Sequence, residues 1–201
     1  MQNSKSDNHD AIVRHALEMF KMRGIKGVRM EDVSKELKIS KRTLYEKFND
    51  KEDLLLECVK LNADIQREKY AAFMEGSDNV MAILCFFLKN ALEEFSKYNA
   101  QFFVEVMKYR SVREFLDSKN EQEAEMKKAF FCRAIDEGLI VPGLNIDLIS
   151  IMNRAAVDNL LKEKAYEKWS LQEIFLTFIG LFLRGILTEK GRKELDLYLK
   201  V

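Results

Sequence analysis

Apolar residues Ile12, Val13, Ala16, Leu17, Met19 and Phe20 recur at helical spacing. They predict a helix over residues 10–23 that Gly24 stops. The stretch GIKGV reads as a turn. Met30, Val33, Ser34 and Leu37 share one face of a short helix over 30–37. After the tight connection KIS, Ser40 is placed to cap a third short helix over 41–48. Asn49 and Asp50 close it and cap a fourth helix that starts at Lys51 and runs past Tyr70. Two short helices joined by a few residues form the layout of a helix-turn-helix. Leu37, Ile39, Leu44 and Phe48 are its expected core.

Beyond Ser77 the pattern lengthens. Amphipathic helices are predicted at about 78–98, 101–117, 119–137, 147–163 and 171–188, with the clearest break at Gly138, Pro142 and Gly143. The stretch SKNEQEAEMKK reads as a solvated helical face. The predicted fold class is all-α: a three-helix N-terminal domain over 1–52 and a larger helical domain over 53–201. The helices at 147–163 and 171–188 are apolar on more than half of their circumference, whereas a surface helix needs one stripe. The same pair in a second subunit would cover them, giving a homodimer about a two-fold axis. A central place in the monomer core is the alternative.

Composition agrees. Of 201 residues, 47% are hydrophobic, 33% are charged, eight are Gly and one is Pro, so turns are scarce. Net charge is zero, yet residues 1–50 hold 11 Lys and Arg against 8 Asp and Glu, a balance of +3. Cys58, Cys85 and Cys132 are widely spaced, as expected of reduced and mostly buried thiols. The polar N-terminus has no signal-peptide core, and the longest apolar run, about 174–183, is too short to span a membrane. A cytoplasmic protein with no membrane partner is expected. No HExxH, Gly-rich phosphate loop or sequence-local Cys–His pair occurs, so no enzyme activity, metal or cofactor is predicted.

The basic charge concentrates in LKISKRTLYEKFNDKEDLL. In a helix-turn-helix, the first turns of the second helix enter the major groove. Arg42 can give two hydrogen bonds to a guanine edge, and Thr43 can offer a hydroxyl and a methyl. Ser40 and Lys41 lie beside them at the helix start, and Tyr45 and Lys47 suit phosphates. Lys51 sits at a helix start, where backbone N–H groups also favour an anion. Base reading and backbone clamping are thus both provided for.

The run AIVRHALEMFKMRGIKGVRMEDVSKELKISKRTLYEKFNDKEDLLLECV resembles the DNA-binding domain of the tetracycline-repressor (TetR) family over about a quarter of the chain. The resemblance implies a homodimer with an N-terminal helix-turn-helix. It also implies a C-terminal helical domain that binds a small effector and dimerises through its last two long helices. Two departures stand out. Where Val28 and Arg29 stand, the family often has a hydroxyl cap, and Arg29 could instead touch a phosphate. Many members have Gly at the position of Arg42, so Arg here suggests a guanine in the half-site.

The middle helices are rich in Phe and Met, which suits varied apolar ligands. Phe87, Phe102, Phe103, Met107, Phe131, Met152 and Asn153 are the expected effector pocket. Asn153 has apolar helical neighbours, so its amide needs a buried partner. The reading is a DNA-binding regulator: a homodimeric repressor released from a palindromic double-stranded operator by an unknown small-molecule effector. The alternative is a helical protein-interaction module that keeps the helix-turn-helix as scaffold.

Overall fold

The structure, a computed structural model, describes residues 3–199. The described residues form ten α-helices. α1 (Asn3–Arg23), α2 (Met30–Glu36), α3 (Lys41–Tyr45) and α4 (Lys51–Glu75) follow the predicted order. α5 (Val80–Phe95), α6 (Ala100–Val106), α7 (Arg110–Asp136), α8 (Ile146–Lys162), α9 (Leu171–Ile186) and α10 (Glu189–Leu199) complete the chain, with a 3₁₀ turn at Ala165–Glu167. Side-chain oxygens of Ser40, Asn79, Asn99, Asn145 and Ser170 cap their helices.

Two predicted boundaries are corrected. The break expected near residue 118 lies at 107–109, between α6 and α7. The charged stretch runs straight through α7 because Glu123 pairs with Lys119 and Lys127 one turn away on either side. The residues after 188 form a separate helix, α10, started by the Thr188 hydroxyl accepting from Gly191 N–H at 3.1 Å.

The chain packs as two compact units. The first comprises residues up to Ala71 together with Lys97–Ser118. Its core joins Phe20, Ile25, Leu44, Phe48 and Leu54 to Phe102, Val106 and Val112. Polar ties hold α6 and the start of α7 there. Asn99 N–H donates to the Lys21 carbonyl at 2.7 Å. The buried Glu105 carboxylate accepts from Lys26 N–H at 2.7 Å. Ser111 donates both N–H and hydroxyl to Glu52 Oε1, at 3.1 and 2.7 Å.

The second unit comprises Ala72–Ser96 and the chain from Lys119 onward. Its core is built from Val80, Met81, Cys85, Leu88, Leu139, Ile140, Leu183, Leu187 and Leu195. The residues after α7 pair with the end of α9: Val141 N–H donates to Ile186 C=O at 2.9 Å and Thr188 N–H to Leu139 C=O at 3.0 Å. α10 then crosses Leu139 so closely that a Cβ on Gly191 would strike the Leu139 carbonyl. Cys58 and Cys85 are buried free thiols, whereas Cys132 is exposed.

Candidate nucleic-acid interface and buried cavity

α2 and α3 are set by a small apolar wedge. Leu44 and Phe48 are fully buried, with Leu37 and Ile39 packed at its margin. The connection is a Schellman-type helix ending: Ile39 N–H reaches Ser34 C=O and Lys38 N–H reaches Lys35 C=O. Lys38 occupies the left-handed position, at φ 54°. Ser40 then caps α3, its hydroxyl accepting from Thr43 N–H at 3.0 Å and contacting the Thr43 hydroxyl at 2.8 Å.

This wedge leaves the first turn of α3 facing solvent. Lys41, Arg42 and Tyr45 are exposed, the Arg42 side chain 89% and Tyr45 47%. Arg42 Nε donates to Glu46 at 2.9 Å and Lys41 Nζ to Glu31 at 3.1 Å. Both are solvated pairs that a phosphate or base can displace at little loss. The Lys41 ammonium also helps hold the Glu31 carboxyl below the ordinary range, after the larger effect of a backbone hydrogen bond. The Arg42–Glu46 pair is legible as an i,i+4 spacing; Lys41–Glu31, ten residues apart, is not.

The remaining basic residues differ in setting. Arg29 stands exposed just before α2, where its N–H donates to Asp32 at 2.8 Å. The helix is therefore capped by a carboxylate rather than a hydroxyl. Lys47 is half-buried. Lys51 is tucked inward, its ammonium 6.0 Å from the Phe20 ring centroid. Burial lowers its pKa, against the opposing pull of Glu105 and Asp32. The Asp50 carboxylate already accepts from Asp53 N–H at 2.9 Å, so the start of α4 is less free for an anion than the sequence suggests.

The second unit holds a partly open apolar cavity of about 150 Å³. Its walls come from α5, α7, α8 and α9 and the segment at Leu139–Ile140. Of the expected pocket residues, Phe131 and Asn153 line it, while Phe87 on α5 does not. Met152 is 51% exposed. Phe102, Phe103 and Met107 belong to the first unit, where Phe102 is core and Phe103 packs against it. The seven are divided between the two units, and two of them line this cavity, because helical spacing marks a buried face without naming its partner. Phe178 and Phe182 of α9 line the cavity instead. The unusually wide apolar surface of that helix is the sequence signal for this second role. Asn153 Oδ1 is sealed from solvent and meets no hydrogen-bond partner.

Residues 12–58 match the profile of the bacterial regulatory proteins of the tetR family. That segment is of the tetR-family type, and the rest of the chain is related to known proteins by its fold. Regulators of known structure share its fold, two of the following being described as TetR-family. One from Marinobacter aquaeolei VT8 is 22% identical, covers 96% of this chain and 97% of its own, and has a TM-score of 0.67. One from Agrobacterium tumefaciens is 14% identical, covers 91% and 99%, and has a TM-score of 0.72. The fatty acid degradation regulator FadR from Bacillus halodurans is 15% identical over 87% and 94%, with a TM-score of 0.63. No curated protein matches the chain in sequence. Among the described residues no helix of this chain is long and apolar enough to cross a membrane.

Proposed function

We propose that this chain is a homodimeric cytoplasmic repressor of the TetR family. Residues 1–52 would bind a near-palindromic operator, and the rest of the chain would dimerise and take up a small-molecule effector. The observation that carries the DNA-reading part is Arg42, 89% exposed in the first turn of the second helix of a helix-turn-helix. Arg42 and Thr43 are assigned to bases. Arg29, Ser40, Lys41, Tyr45, Lys47 and Lys51 are assigned to phosphates, Lys51 after swinging away from Phe20.

Pairing of two chains is supported by α8, which has 17 residues and buries none of them. Its Ile151 is 64% exposed and Leu181 of α9 is 78% exposed. Apolar surface of this kind on adjoining helices is stabilised by a second copy that covers it. The effector part rests on the cavity, with Phe131 and Asn153 as its members from the expected set. Release requires that the effector bind the non-DNA-binding conformation more tightly. α4, with residues in both units, is the element assigned to carry the change.

The test is selection of genomic DNA fragments by the purified protein, beside an Arg42→Ala/Tyr45→Ala variant. The expected result is a palindromic motif that the folded variant fails to enrich. A folded, dimeric parent that enriches no motif, or a variant that enriches the same one, overturns the DNA-reading assignment.

A further inference from the structure

We infer that the effector is a small, neutral, ring-sized apolar molecule carrying one hydroxyl that meets the Asn153 amide; this rests on the effector reading above. The cavity holds about 150 Å³, about the volume of an engineered apolar cavity that admits benzene. Phe130, Phe131, Phe178 and Phe182 supply aromatic walls, which suit a flat ring. Among the described residues no charged side chain lines the cavity. A carboxylate or an ammonium would lose its hydration there with no countercharge to replace it.

Asn153 supplies the polar point. Among the described residues it is the one polar side chain in the lining, and its Oδ1 is buried without a partner. A buried polar atom in a native fold is normally satisfied. Water answers this poorly, because a buried water is held by about three hydrogen bonds, and the lining offers a single polar side chain. An amide presents an acceptor on one edge and donors on the other. A hydroxyl both donates and accepts, so it serves whichever edge faces the cavity. The apolar body would take the place of empty space, and a rotation of the amide that turns Oδ1 to the cavity would let the hydroxyl satisfy it.

The experiment is calorimetric titration of the full chain with three probes of one shape: p-cresol, p-xylene and p-toluate. The expected result is that p-cresol binds at least tenfold more tightly than p-xylene and that p-toluate gives no binding. In Asn153→Leu, close in size, the preference for p-cresol should fall to about onefold while p-xylene still binds. Asn153→Ala, checked for folding by circular dichroism, should lose the preference as well. Equal binding of p-cresol and p-xylene by the parent overturns the inference. So does binding of p-toluate, absence of binding by all three, or a preference that survives in both variants. Operator affinity is measured on the same samples. Preferential p-cresol binding with unchanged operator affinity would uphold the ligand class and overturn release as the mechanism.

Discussion

Arg42 is long, charged and paired with Glu46 on its own helical face. That pairing orients the guanidinium without committing it, since a solvated pair contributes little to stability. Arg42→Ala is expected to weaken binding to the preferred operator by on the order of 1–3 kcal/mol and to relax preference at one base pair. Titration of operator variants checks this. Glu36 shows a carboxylate put to structural use in the same unit. It accepts from Arg23 Nη1 at 2.7 Å and from His15 Nε2 at 3.0 Å, tying α1 to α2. The Arg23 hydrogen bond, then the one from His15, hold its carboxyl below the ordinary value of 4.5. A depressed folded-state pKa contributes stability that is present above the unfolded value and is lost as pH falls through the folded one. Glu36→Gln should therefore be less stable than the parent at neutral pH, with the gap closing as pH drops below 4.5. Urea unfolding across that range measures it.

At the level of elements, the turn between α2 and α3 is where local conformation opposes residue type. Lys38 has φ 54° at a helix end where Gly is the usual occupant. The left-handed conformation costs an ordinary L-residue roughly 1–2 kcal/mol, and Gly gives part of this back through the freedom it loses on folding. Lys38→Gly is expected to stabilise the protein by about 0.5–1 kcal/mol, seen as a higher denaturation midpoint. The same helices mark what was legible in the sequence. Gly24, Ser40 and the Asn49–Asp50 pair punctuate α1 to α4 with residues whose turn chemistry is unambiguous. The break at 107–109 carries no Gly or Pro. It forms because α6 turns Phe102 and Val106 into the core around Phe20 and Leu54, and such a tertiary cause leaves no local signature. Likewise Asn153 could be picked out as an amide among apolar neighbours, but its meeting with Phe178 and Phe182 depends on how α8 and α9 pack.

For the whole molecule, α9 has two apolar sides. Phe178 and Phe182 face the cavity, while Leu176 and Leu181 face solvent in the single chain. Ile151→Glu/Leu181→Glu places charge on the proposed pairing surface without touching the cavity lining. It is expected to give monomers in analytical ultracentrifugation, and with them weak operator binding, because two half-sites are no longer held together. The discontinuity of the first unit reaches further. Its core draws Phe102, Val106 and Val112 from a stretch that follows α5 in the chain. A single recombination event after α4 that joined this DNA-reading head to another gene would leave those three core positions to a foreign sequence. New regulators are therefore expected to descend from this lineage by duplication of the whole gene followed by point mutation, rather than by exchange of interchangeable heads.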